Sequence, residues 1–226
     1  MVDYIKFEGE TMNNIKAIIF DLDGVLVDTA KYHYLAWKKL ADELNIDFSV
    51  EDNERLKGVS RMQSLDIILE IGCTTLDNDT KIDLAQKKNS WYVEYITKLT
   101  PEDILPGVIP FIKSLKNSNI KIALGSASKN SMLILNKLNL TNYFDAIIDG
   151  TKVSKAKPDP EVFLKGAEAL KVLPCQCIVF EDAEAGVEAA INAGMHCIGI
   201  GSNNILKKAD LVFKGFTDIV FDKLDL

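Results

Sequence analysis

Six short apolar runs constrain the fold of this chain more than any other feature. They fall at residues 15–20, 120–124, 145–149, 177–181, 197–200 and 211–213. Short runs of Ile, Val, Leu and Phe without strict polar alternation read as strands buried on both faces. Residues 108–117, 129–139, 160–170 and 183–193 place apolar side chains at helical spacing between those runs. This alternation predicts an α/β fold: a Rossmann-like, doubly wound parallel sheet with helices on both faces.

The alternation breaks between Asp28 and about Asp103. That stretch reads as helices: one beginning near Tyr32 with a stripe of Trp37, Leu40 and Leu44, then 65–71 and 82–99. An all-helical insert after the first strand is a second domain. The expected division is an N-terminal extension at 1–12, an α/β core at 13–28 and 103–226, and a helical cap at 29–102. Met12 is an alternative start. The two crossings, near 27–30 and 99–106, form a paired hinge, and hinged caps exclude water from reaction sites.

A net charge of −7 argues against a general nucleic-acid partner. No apolar run reaches membrane-spanning length, and the N-terminus lacks the basic start and apolar core of a signal peptide. The four cysteines, Cys73, Cys175, Cys177 and Cys197, do not form a zinc-type pair of pairs, so free thiols in a reducing cytoplasm are expected.

The chemistry gathers where strands end. Asp21-Leu22-Asp23-Gly24 follows the first apolar run. Ligands of open α/β sheets bind at the carboxyl ends of strands. Residues two apart on an extended segment share a side, so Asp21 and Asp23 can face one centre, and Gly24 permits a sharp turn beyond them. Two carboxylates so close need a cation, and oxygen ligands suit Mg²⁺. Glu181-Asp182 ends another run. Asp182 can supply a further ligand or cap the next helix, and Glu181 points the other way. Gly125-Ser126-Ala127-Ser128-Lys129-Asn130 offers hydroxyl and N–H groups to an anion, or a plain helix cap. Lys157, in Lys155-Ala156-Lys157-Pro158-Asp159-Pro160, can neutralise a phosphate or sit in solvent. Of the 26 Lys and Arg residues only Arg55 and Arg61 are arginines; Arg61 is either a bidentate phosphate clamp or a helix-start residue. His33, one turn before Trp37, suits a proton-relay or gating role.

These motifs, in this order, resemble the haloacid dehalogenase superfamily of phosphoryl-transfer enzymes, over the whole chain from about Ile15. The insert is similar to the cap of its hexose-phosphate mutases, through Asp28-Thr29-Ala30-Lys31-Tyr32-His33, Ala36-Trp37, Leu56-Lys57-Gly58-Val59-Ser60-Arg61 and Ser64. The resemblance implies interconversion of β-D-glucose 1-phosphate and β-D-glucose 6-phosphate through β-D-glucose 1,6-bisphosphate as activator and intermediate. Asp21 is the implied nucleophile, Asp23 the general acid/base, and Ser126 and Lys157 hold the reacting phosphoryl group. Mg²⁺ falls to Asp21, Asp182 and the Asp23 carbonyl, with Glu181 alongside. Arg61, Ser128, Lys129 and Asn130 receive the second phosphate, and Lys57 and His33 couple closure to Asp23. Trp37, Gly58, Val59, Ser64, Ala127 and Lys88 complete the implied substrate contacts, with Asn89 a weaker candidate. The implied partners are small sugar phosphates only, with no nucleic acid, no membrane and a monomeric chain. A sugar-phosphate or glycolate-type phosphatase is the nearest rival, and a non-catalytic sugar-phosphate sensor the next.

Overall fold

Ala17–Phe20 forms the first strand, β1, and every one of its residues is buried. In the computed structural model, which describes residues 15–219, this strand lies inside a six-stranded sheet. The other strands are β2 (Lys121–Gly125), β3 (Ala146–Ile148), β4 (Cys177–Glu181), β5 (His196–Ile200) and β6 (Leu211–Phe213). The order is β3-β2-β1-β4-β5-β6 and every pairing is parallel. The strand order reverses at β1, between β2 and β4, which is where a ligand crevice opens in such sheets.

Period-2 alternation sorts β1 onto two cores. Ile18 and Phe20 join Ile122, Leu124, Ile178 and Phe180 against α5 (Val108–Asn117) and α6 (Ser131–Lys137). Ala17 and Ile19 join Ala123 and Val179 against α7 (Glu161–Leu170) and α8 (Glu184–Asn192). Phe20 anchors the first core, stacked on Phe180 at 5.2 Å and edge-on to Phe111 at 6.2 Å. This is the expected two-faced sheet.

Residues 30–96 carry the remaining helices: α1 (Ala30–Glu43), α2 (Val50–Glu54), α3 (Arg61–Ile71) and α4 (Asn78–Ile96). They surround an apolar cluster of their own, including Trp37, Leu40, Phe48, Leu65 and Ile68. The two crossings lie side by side. Val27 bridges Ile104, the Asp28 N–H donates to the Asp103 carbonyl at 3.1 Å, and the Leu105 N–H donates to the Leu26 carbonyl at 3.0 Å.

Several boundaries differ from expectation for local reasons. The helix expected at 65–71 begins at Arg61, because the Ser60 hydroxyl accepts the Gln63 N–H. The one expected at 82–99 runs from Asn78 to Ile96, because Asp77 caps it. The one expected at 129–139 shortens to Ser131–Lys137, since the preceding serines fold into tight turns. Helix α2 was not anticipated; it is too short for a periodic signal and is held by a Ser49/Asp52 capping box. The extension at 1–12 lies outside the described residues. Among the described residues, no helix is long and apolar enough to cross a membrane.

Candidate active site

Because β1 lies between β2 and β4, their carboxyl ends bring Asp21, Ser126 and Asp182 to one edge of the sheet. Asp21 is 6% exposed and donates its N–H to the Phe180 carbonyl at 3.0 Å. The turn beyond it needs glycine. Gly24 has φ +80°, and a Cβ there would meet Asp182 Oδ2 at 2.1 Å.

Lys157 Nζ donates to Asp21 Oδ1 at 2.6 Å and to Glu181 Oε1 at 2.5 Å. The other Glu181 oxygen accepts the Asp182 and Ala183 N–H groups at 2.9 and 3.0 Å. Burial alone pulls the Lys157 ammonium down, but the Asp21 and Glu181 carboxylates outweigh it and hold the lysine charged. Burial also drives the Glu181 carboxyl up, against the pull of Lys157. Asp182 rises well above the usual carboxylate range through burial, then through Glu181 and Asp21.

Asp21, Glu181 and Asp182 each place an oxygen within 4.8 Å of the others. Three crowded carboxylates exceed the charge that Lys157 supplies, and the all-oxygen donor set fits a hard divalent cation such as Mg²⁺. The Asp23 carboxylate is outside this cluster. Its Oδ1 accepts the Thr29 hydroxyl and, at 3.3 Å, the Tyr92 hydroxyl, with His33 Nε2 3.8 Å away. Burial and then the Asp21 charge raise Asp23 to about 6, while the Thr29 and Tyr92 hydrogen bonds oppose the rise. One carboxylate of the pair is thus salt-bridged and the other is poised to exchange a proton near neutrality.

On β2's side, Ser126 is 1% exposed and its Oγ accepts the Ser128 N–H at 3.1 Å. Ser128 Oγ accepts the Asn130 N–H at 3.2 Å. These hydroxyls shape the loop rather than cap α6, whose N-cap Asn130 makes no side-chain cap bond. Asn130 Nδ2 instead donates to Asn89 Oδ1 on α4 at 2.9 Å, joining the loop to the helical segment.

The opposite wall is helical. Lys88 on α4 is 2% exposed, with Nζ 3.0 Å from His33 Nδ1 and 4.4 Å and 4.9 Å from the Trp37 and Tyr92 ring centres. Among the described residues, neither Lys88 nor Arg61 ion-pairs with a carboxylate. Burial and then Arg61 push the Lys88 ammonium well below its usual range. Burial, Lys88 and Arg61 do the same to His33. Arg61 stands at the start of α3, half-buried, and borders the cleft. Lys57 pairs with Glu54 at 3.0 Å and reaches Asp182 at 3.9 Å. Gly58, at φ +73°, lets this loop settle on the start of α8, where a Cβ would lie 3.2 Å from the Ala183 Cβ.

Between the walls lies a cleft of about 600 Å³. Every expected site residue borders it except Glu181, which lies under Lys157. Trp37, Val59, Ser64, Ala127 and Lys129 are all in its lining. Three further residues matter. Thr29 falls in the segment 28–33 and Tyr92 in the helix expected at 82–99, neither with a role assigned by the sequence, and Asn53 carries no local signal. Each acquires its neighbours only through tertiary folding.

A parallel sheet that ends in a lysine-bridged acid cluster, below a helical wall bearing the buried Lys88 and the half-buried Arg61, defines a phosphoryl-transfer site. The haloacid dehalogenase-like hydrolase family matches residues 15–194, and the chain belongs to that family. Its relatives narrow the comparison. The chain is 47% identical over 212 residues to the β-phosphoglucomutase of Bacillus subtilis (strain 168), covering 93% of this chain and 94% of that one. It is 34% identical over 188 residues to a phosphorylated carbohydrates phosphatase of Thermotoga maritima, covering 81% and 84%. The crystal structure of β-phosphoglucomutase from Clostridium difficile superposes with a TM-score of 0.88 at 47% identity, covering 92% of this chain and 94% of that one.

Proposed function

We propose that this chain catalyses the β-phosphoglucomutase reaction, interconverting β-D-glucose 1-phosphate and β-D-glucose 6-phosphate through β-D-glucose 1,6-bisphosphate. One observation carries the proposal. Lys88 is buried and Arg61 half-buried, neither ion-pairs with a carboxylate among the described residues, and both border the same cleft as the Asp21–Asp23 pair. A cleft that offers one phosphate Ser126 and Lys157 and a second Arg61, Ser128, Lys129 and Asn130, with Lys88 adding to the basic wall, suits a bisphosphate. Simple hydrolysis needs no second anion position.

In this reading Asp21 carries the phosphoryl group as an aspartyl-phosphate. A sugar hydroxyl oxygen attacks the phosphorus, the bond to Asp21 breaks, and Asp23 accepts the hydroxyl proton. The bisphosphate then presents its other phosphate to Asp21. As that ester bond breaks, Asp23 returns the proton to the leaving oxygen. Ser126 and Lys157 hold the transferring oxygens, and Glu181 fixes Lys157. Mg²⁺ bound by Asp21, Asp182 and the Asp23 carbonyl would supply further neutralisation of the phosphoryl charge.

Residues 29–102 act in this proposal as a cap over the core at 13–28 and 103–226. Support comes from the separate apolar cluster and the adjacent crossings. Asn130–Asn89 and Lys57–Asp182 would join the two parts when closed. The proposed enzyme is a cytoplasmic monomer; its four free cysteines suit a reducing compartment.

The test follows glucose 6-phosphate and inorganic phosphate together, from β-D-glucose 1-phosphate with Mg²⁺ and a trace of the bisphosphate. Fast glucose 6-phosphate with little free phosphate is the expected result. Phosphate release without the isomer would make the chain a phosphatase, and binding without turnover a sensor.

A further inference from the structure

Asn53 lies on α2, just ahead of the loop that carries Lys57 and Arg61. It is 7% exposed and forms part of the cleft wall. Its backbone is satisfied: its N–H donates to the Ser49 carbonyl at 3.3 Å, and its carbonyl accepts the Leu56 N–H at 3.0 Å. Its carboxamide forms no hydrogen bond with the protein among the described residues. No described buried side-chain atom sealed from solvent lacks a partner, so the polar atoms of this carboxamide keep access to solvent at a residue that lines the cleft.

Packing does not account for an amide here. Leu56, three residues on, belongs to the helical segment's apolar cluster. A leucine at position 53 would fill a similar volume beside it without a polar group to satisfy. The carboxamide offers one acceptor and two donors, which complement a hydroxyl that both donates and accepts. The two charged groups of the proposed substrate are taken at Ser126 and Lys157 and at Arg61, Ser128, Lys129 and Asn130. What remains between them is an uncharged polyhydroxylated ring.

We propose that Asn53 is a specificity residue that hydrogen-bonds a ring hydroxyl of the sugar. The proposal deepens the mutase reading and rests on it for the identity of the ligand. A buried amide set to pair with a hydroxyl rejects a ligand that lacks it, because the amide is then left unpaired.

The experiment compares kcat/KM of wild type, Asn53→Leu and Asn53→Ala on β-D-glucose 1-phosphate, on its ring-deoxy analogues, and on acetyl phosphate, which has no ring. Wild type should discriminate against one deoxy analogue by about tenfold or more. Both variants should lose a similar factor on the parent sugar beyond any loss on acetyl phosphate, and that extra loss should vanish on the same deoxy analogue. Equal losses on all substrates, or no loss, would overturn the proposal. If both variants fail to fold, wild type alone still decides, since equal rates on every analogue would also overturn it. Isomer formation by wild type tests the mutase reading separately. If hexose phosphates merely lose phosphate, that reading fails and the Asn53 ratios are read from phosphate release.

Discussion

Lys157 and Lys88 are both buried lysines on the same cleft, 1% and 2% exposed, yet their surroundings are opposite. Lys157 grows from the α/β core and is held between two carboxylates at 2.6 and 2.5 Å. Lys88 grows from the helical wall and meets an imidazole, two aromatic rings and the repulsion of Arg61. The core end is electrostatically complete before substrate arrives, which suits chemistry that needs fixed geometry. The helical wall holds basic groups that no directly contacting carboxylate neutralises among the described residues, with Asp23 acting on Lys88 only at longer range. In the proposed reading, an anion bound there would relieve that cost and favour closure of the wall on the core. The proposed mechanism thus divides reaction and recognition between strand ends, where the sheet fixes position, and the helical wall.

The largest effect that tests this contrast is at Asp21. Asp21→Asn should show no turnover above background in the coupled glucose 6-phosphate assay, because an amide cannot form the acyl-phosphate; residual mutase activity would remove the nucleophile assignment. Next come paired stability measurements on the two lysines by denaturant unfolding without ligand. Lys157→Met leaves buried carboxylates uncompensated and should cost about 3–5 kcal/mol. Lys88→Met removes a buried basic group that no carboxylate contacts directly and should be neutral or stabilising. Equal losses at both would erase the contrast.

Arg61→Ala should lower mutase kcat/KM by about 10²-fold while slow hydrolysis of a small phosphate ester persists. Full mutase activity in this variant would disprove a second phosphate position there. The smallest effect is on pH. Asp23 must be ionised to accept a proton, and its pKa is raised to about 6, so kcat/KM should fall as pH drops below about 6. The Thr29 hydrogen bond holds that pKa down, so Thr29→Val should move the acidic limb to higher pH. An unmoved limb would mean another group titrates.

Much of the core was legible because it is written locally. The apolar runs at 177–181 and 211–213 coincide with β4 and β6, Asp21, Ser126 and Asp182 stand where strands end, and Lys157 stands in the loop between β3 and α7. The helical wall was legible as helices but not as electrostatics. Lys88 is one of many lysines in the sequence; only packing against Trp37 and Tyr92 makes it special. Tyr92 reaches Asp23 across 69 positions of sequence, a separation that no local pattern reports. Asn53 likewise lines the cleft only because α2 forms, and a helix of five residues has no period to detect.

The central claim is that one cleft takes two phosphates at once. Titration calorimetry on Asp21→Asn with Mg²⁺ tests it most directly, comparing β-D-glucose 1,6-bisphosphate with the two monophosphates. The account predicts that the bisphosphate binds at least about tenfold tighter than either monophosphate, and that adding Arg61→Ala erases the advantage. Equal affinities for the bisphosphate and the monophosphates would contradict it.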